Sequence, residues 1–292
     1  MKIDVHIPDG FLSMPVWATL DAAAAPAAAV AIRRARSTFD PARIPALGVM
    51  GAFVFAAQMI NFPVGAGTSS HLVGGALLAY TLGPAAASVV MIAVLAIQAL
   101  VFQDGGLLAL GANIVNMAII GVLAGYLPFA IWGSGGRRRA AIFAGGALSV
   151  AASAVLALSE LLLSRVPMPR PMLAISLAIF AASALIEGAI TLAVVEALDA
   201  MQPNFVRKPA ERPLALAALA VTAVLLGAVG VLFASTAPDG IEHLTRIQAA
   251  GLPERWLGKT AAGLGGLALI YAVCLVIGRF AVRSRAAAGR SA

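Results

Sequence analysis

The chain has 292 residues, 61% of them hydrophobic and only 11% charged, with a mean hydropathy of +0.95 and a formal charge of +7. A soluble domain carries charge on about a quarter of its residues, so the composition excludes one and indicates a membrane protein. At roughly 20 apolar residues per crossing, the chain has room for about eight to ten spanning helices and for no large soluble domain. The excess of Lys and Arg, which in a soluble chain would raise nucleic acid as a partner, sits in short loops and marks topology instead. Membrane lipid, and no nucleic acid, is the expected surrounding.

In chain order, the first 13 residues hold one Lys, no apolar run and the interruption Pro8-Asp9-Gly10. No cleavable signal peptide is visible there, and the segment is expected to be retained. Apolar stretches long enough to span follow over 14–32, 44–62, 84–103, 107–132, 140–164, 172–198, 213–234 and 260–280. A ninth, from Ser70 to Leu82, stops at the helix break Gly83-Pro84 and is too short to assign from hydropathy. The Ala-rich run Ala22 to Ala31 in the first stretch suits close approach of a neighbouring helix, although alanine is also simply a good helix former. The loop Pro203 to Pro213 divides the chain into a unit over 1–206 and a two-helix segment over 207–292. The single cysteine, Cys274, lies in an apolar run, where packing is its expected role.

Charge parity orders these segments. The basic residues cluster as Arg33, Arg34, Arg36 and Arg43, then Arg137 to Arg139, then Arg207, Lys208 and Arg212, then Arg279, Arg283, Arg285 and Arg290. Placing all four clusters in the cytoplasm puts the N-terminus outside and requires an even number of crossings between Arg43 and Arg137. The clear apolar stretches there are three, so the segment ending at Leu82 becomes a short fourth crossing sunk in the protein. The expected architecture is an all-α polytopic protein of nine crossings, seven plus a C-terminal hairpin, N-out and C-in.

Polar residues inside so apolar a chain are functional candidates by default. This topology puts His6 and His71 on the same outer face, where two imidazoles can meet; a lone exposed histidine is also commonly just solvated. His243 falls in an outer loop, where solvation is the favoured reading. Asn113 and Asn116, three residues apart, are expected on one helical face, positioned to bond the N-terminal segment or the loop before His71, or else to bridge helices. Asp9 is either a turn residue in Pro-Asp-Gly or a partner that orients an imidazole or the N-terminal segment. Glu187, near the middle of its stretch, is costly unless paired or protonated and is read as a packing or gating residue.

The nearest approach to a phosphate loop, Pro253-Glu254-Arg255-Trp256-Leu257-Gly258-Lys259-Thr260, lacks the first glycine and a preceding strand. Any ATP-driven role therefore needs a separate ATPase. No His-Glu-x-x-His motif supports an intramembrane metalloenzyme, and enzyme activity is not expected. A carrier driven alone by an ion gradient would carry several intramembrane carboxylates, for which only Glu187 and Asp21 qualify.

Three motifs in order resemble the CbiM/NikM family: Val5-His6-Ile7-Pro8-Asp9-Gly10-Phe11-Leu12-Ser13; Asn61-Phe62-Pro63 through Thr68-Ser69-Ser70-His71-Leu72-Val73-Gly74-Gly75; and Phe102-Gln103-Asp104-Gly105-Gly106 through Asn113 to Asn116-Met117-Ala118. These are the substrate-capture components of energy-coupling-factor cobalt and nickel importers. Ala237-Pro238-Asp239-Gly240-Ile241-Glu242 resembles the Pro-Asp-Gly-Leu-Glu signature of their small companion subunit, fused here at the C-terminus. The resemblance implies a seven-helix capture bundle in the cell membrane, a CbiQ-type coupling subunit and CbiO-type ATPase subunits as partners, and Co(II) or Ni(II) as cargo with no resident cofactor.

It also implies a ligand set of nitrogens at the extreme N-terminus plus the histidine matching His71. A free amine, the next amide nitrogen and that residue's imidazole form fused chelate rings in one plane, and a second imidazole completes four nitrogens. Such a set suits Ni(II) and can be imposed on Co(II). Here the histidine is residue 6, preceded by Met1-Lys2-Ile3-Asp4-Val5. A chelate through the amine therefore requires Val5 as the true start, read from a GUG codon, or trimming after Asp4. Otherwise the Val5 amide replaces the amine and binding is weaker.

Overall fold

In the computed structural model, residues 6–38, 40, 43–65, 68–201, 206 and 272 are described. The expected stretches at 213–234 and 260–280, the loop before them, His243, Cys274 and the Pro-Asp-Gly-Ile-Glu motif lie outside these residues, as does Val5. The described part is a helical bundle in which five helices are long and apolar enough to cross a membrane: Met14–Thr38, Pro84–Phe102, Leu110–Trp132, Gly135–Leu163 and Arg170–Met201.

Helix α1 (Met14–Thr38) starts with the Ser13 carbonyl accepting the Val16 and Trp17 N–H groups at 3.0 Å. Its buried residues are Ala24 and Ala31, seven apart, so it rests on its neighbours along a narrow seam of small side chains. Helix α2 (Ile44–Gln58) is the opposite case, with twelve of fifteen residues buried. A helix apolar all round belongs in a core. The hydropathy pattern extends this stretch to residue 62, yet the helix stops at Gln58. Pro63 forces Phe62 into extended backbone, and a short antiparallel ribbon begins there, β1 (Phe62–Gly65) against β2 (Thr68–Ser70).

Helix α3 (Gly75–Leu82) has all eight residues buried. It begins later than the stretch from Ser70 suggested, because Ser70 closes the ribbon and His71 to Gly74 form a turn. Gly83, at φ +84°, breaks it from α4 (Pro84–Ile97), whose fixed proline φ suits a first helical position. Helices α2 and α3 are thus too short to be found as spans, yet they form much of the apolar core with α4.

Two spans carry π-helical turns. Helix α4 runs on through Gln98–Phe102, and α5 (Leu110–Asn113) passes through Ile114–Gly121 into α6 (Val122–Trp132). Such wide turns are uncommon and concentrate at functional sites. Helices α7 (Arg138–Leu163) and α8 (Arg170–Met201) pack as a long antiparallel pair. They approach closely at Gly146, where an added Cβ would lie 2.9 Å from the Gly188 Cα. Ion pairs of Arg138 with Asp199 and Arg139 with Glu196 tie one end of the pair.

Candidate metal centre

His6 enters on an irregular segment that the loop before α5 and α5 itself hold by its main chain. The Ile7 N–H donates to Asn113 Oδ1 at 2.8 Å, and the Ile7 carbonyl accepts from Asn113 Nδ2 at 3.0 Å and from the Gly106 N–H at 2.9 Å. Asn113 therefore pairs with the segment as a neighbouring strand would, satisfying a main-chain donor and acceptor that are buried away from water. Asp9 accepts the Leu107 N–H at 3.0 Å and the Leu108 N–H at 2.7 Å, filling donors at the entrance to the span. A side chain on Gly106 would collide with the Asp9 carboxylate, so glycine is what lets the two segments close. Ile7, with no exposed surface, fills a separate apolar cluster with Leu12, Ala109, Ala112, Ala157 and Leu161.

His71 arrives from the other direction, on the turn between the ribbon and α3. Its Nδ1 lies 2.9 Å from the Leu72 carbonyl. A carbonyl can only accept, so the proton sits on Nδ1 and the ring's lone pair is on Nε2, the arrangement typical of a metal-ligating imidazole. The following main chain is held by side chains of other helices. The Val73 and Gly74 N–H groups each donate to one oxygen of the Glu187 carboxylate, both at 2.8 Å. The Val73 carbonyl accepts from Gln58 Nε2 at 2.7 Å, and Gln58 in turn accepts from Gln98 Nε2 at 2.9 Å. Gly74 takes φ +76°, which glycine adopts without strain, and a Cβ there would stand 2.6 Å from Val54 Cγ1.

The two imidazoles meet. Their ring centroids are 5.1 Å apart with 24° between planes, and both residues are buried, His6 at 3% and His71 at 5% exposure. The rings are stacked, and centroids this close let both reach one ion at metal–nitrogen bonds of about 2.0–2.1 Å once the rings turn their nitrogen edges toward it.

The two asparagines separate. Asn113 bonds Ile7, whereas Asn116 Nδ2 donates to Glu160 on α7 at 2.9 Å and, among the described residues, bonds neither the N-terminal segment nor the loop before His71. Asn113 thus makes the expected bond to the N-terminal segment, and Asn116, inside the π-helical stretch Ile114–Gly121, takes the other expected role of bridging helices. Glu187, expected to serve packing or gating, bonds the main chain just after His71. Glu160, Gln58 and Gln98 carry supporting bonds that the sequence reading did not assign. A buried polar residue in an apolar run was the available signal for all three.

A family model described as the cobalt uptake substrate-specific transmembrane region matches residues 6–205. The chain belongs to this CbiM family. A protein of Archaeoglobus fulgidus named as a fused nickel transport protein, NikMN, is 33% identical over 301 residues, covering 95% of this chain and 99% of its own. That alignment runs well past residue 205, so the C-terminal segment of this CbiM-family protein is matched within a fused relative. A protein of Methanocorpusculum labreanum named as a fused cobalt transport protein, CbiMQ, is 38% identical over 130 residues, 44% of this chain and 21% of that one. The crystal structure of a truncated transition metal transporter superposes with a TM-score of 0.59 at 35% identity, covering 67% of this chain and 99% of the other.

Proposed function

We propose that this CbiM-family chain is the substrate-capture component of an ATP-driven importer, taking Co(II) or Ni(II) at the outer face of the cell membrane and passing it inward with a CbiQ-type coupling subunit and CbiO-type ATPase subunits. The observation that carries this reading is the meeting of His6 and His71, two buried imidazoles 5.1 Å apart on segments drawn from different parts of the chain. His71 offers Nε2, because Nδ1 is committed to Leu72. His6 offers its imidazole and, with Val5, main-chain nitrogens that complete a nitrogen set. Among the described residues no three His, Cys, Asp or Glu side chains form a metal-sized group, which fits a centre finished by backbone nitrogen. Nitrogen donors in that number favour Ni(II), with Co(II) accommodated if the geometry is imposed.

The orientation is N-out and C-in, with the basic clusters in the cytoplasm. Residues 1–206 form the capture unit and residues 207–292 the companion-like segment. The coupling subunit is supported by the relative in which CbiM and CbiQ are named as one fused protein. Asp9 and Asn113 act on the ion indirectly by docking the His6 segment, and Asn116 by tying α5–α6 to Glu160. Binding displaces protons from nitrogen, so affinity weakens as pH falls.

Titration of the purified chain with Ni(II), Co(II), Cu(II) and Zn(II), repeated with His71→Ala, tests this reading. The variant is expected to bind at least ~10-fold more weakly, since loss of a mere supporting partner costs roughly 10–100-fold. Equal affinity would remove the proposed centre. Metal uptake by cells with and without the coupling and ATPase subunits tests the rest: a gradient-driven carrier acting alone would not need them. Mass spectrometry of the intact N-terminus decides whether Val5 supplies an amine or an amide.

A further inference from the structure

In the turn from His71 to Gly74, five of the eight main-chain polar groups have a partner. The Leu72 carbonyl accepts from His71 itself, the Val73 and Gly74 N–H groups donate to Glu187, the Val73 carbonyl accepts from Gln58, and the Gly74 carbonyl accepts the Leu78 N–H at 3.0 Å to start α3. Glu187 is 1% exposed, Gln58 3% and Gln98 2%. The turn is thus tied to α8 through a carboxylate and to α2 and α4 through a pair of amides.

A carboxylate buried in a membrane bundle is expensive unless its oxygens are bonded, and both oxygens of Glu187 accept main-chain N–H groups. Part of its role is local, since Val73 and Gly74 supply donors at the N-terminal end of α3 that have no intrahelical acceptor. The placement carries more than a cap. The two N–H groups it holds lie two and three residues after His71, in a turn with glycine at positive φ, so the path from the Glu187 carboxylate to the His71 Cα is short and closed. A partner bonded to the imidazole itself orients a metal-ligating ring and raises affinity; Glu187 acts one step further out, by holding the main chain whose Leu72 carbonyl bonds His71 Nδ1.

We infer that Glu187, backed by the Gln58–Gln98 pair, is the positioning residue that sets the His71 imidazole against His6. This inference rests on the metal-capture reading above and adds to it a device that selects ring orientation. Substituting Glu187 leaves both imidazoles in place but frees the turn, so the cost falls on ligand geometry as well as on stability.

The test uses the full chain in detergent or nanodiscs, with Ni(II) titration and the visible ligand-field spectrum of the Ni(II) and Cu(II) forms as readouts. The set is wild type, His71→Ala, Glu187→Gln and Asp199→Asn, the last removing a carboxylate of the same helix that pairs with Arg138 far from the turn among the described residues. Glu187→Gln is expected to weaken Ni(II) binding by about 10-fold, within the usual range for an outer partner, and to shift the ligand-field band. Asp199→Asn should leave both unchanged. A Glu187→Gln protein with wild-type affinity and spectrum would overturn the inference. If that variant does not purify as a single species, Gln58→Met carries the same test from the other side of the turn: a shifted band supports positioning, and an unshifted band overturns it. Wild type that binds no Ni(II), or His71→Ala that binds like wild type, would bring down the capture reading and this inference together; wild type and His71→Ala behaving as expected beside an unaltered Glu187→Gln would remove only the inference.

Discussion

The two histidines reach the same point by different constructions. The His71 turn is buried and gripped by side chains from α8 and α2, with its carboxylate partner 1% exposed. The His6 segment is laid across the entrance to α5, held at its buried end by Asn113 and Gly106 and at its exposed end by Asp9. One half of the centre is thus part of the bundle's core, and the other is a docked strip of chain whose bonds are few and individually removable. The proposed centre would thus combine a fixed donor with one whose presence depends on docking.

Three substitutions separate the halves, from the largest expected effect on metal affinity to the smallest. Asn113→Leu strips the Ile7 N–H of its acceptor and removes one donor from the Ile7 carbonyl. An unsatisfied buried group costs about 1–3 kcal/mol, and 1.4 kcal/mol is about tenfold in affinity, so Ni(II) binding by calorimetry is expected to weaken by ~10-fold. In the same variant, hydrogen exchange should accelerate at Ile7 while Val73 and Gly74 stay protected. Equal loss of protection at both places would show that the halves are one cooperative unit and dissolve the comparison.

Asp9→Asn keeps one acceptor oxygen for the Leu107 and Leu108 N–H groups but loses the charge. Because the contact is exposed, a net loss of about 1 kcal/mol and roughly 5-fold weaker binding is expected. An effect larger than that of Asn113→Leu would move the weight of docking from the buried end to the exposed one.

Gly146→Ala, between α7 and α8, would place its Cβ 2.9 Å from the Gly188 Cα. Overpacking of this kind costs typically about 1–3 kcal/mol. The same Cβ would stand 3.0 Å from the Glu187 carbonyl, so thermal unfolding should register it clearly and metal affinity should fall less than in either docking variant. A loss of affinity matching that of Asn113→Leu would mean that general packing, and not the two local constructions, governs the centre.

Several of these contacts were within reach of the sequence and others were not. Composition located the apolar stretches, and charge parity drew attention to the brief segment ending at Leu82 that hydropathy alone passes over; in the fold its latter part is the helix α3, with every residue buried. Hydropathy overran the end of α2 because Met59 to Phe62 are apolar in part, while the chain there is already turning toward Pro63. His6, His71, Asp9 and Asn113 were all singled out from residue type and position. Asn113 and Asn116 were read together as bonding the N-terminal segment or bridging helices, and the fold divides the two roles between them, which spacing alone could not do. Glu187 was conspicuous as a charge in an apolar helix, but its partners are main-chain N–H groups more than a hundred residues away, which no side-chain pattern encodes.

What the sequence alone determined is membrane residence and the approximate spans, with two histidines marked as candidates, because transfer energies and loop charges act residue by residue and can be read in order. Which groups steady those histidines was decided only by tertiary structure. A hydrogen bond depends on the direction of a side chain and the path of a distant backbone, and both are set by a wide helical turn, a glycine at positive φ and the packing of α8 against the turn after His71.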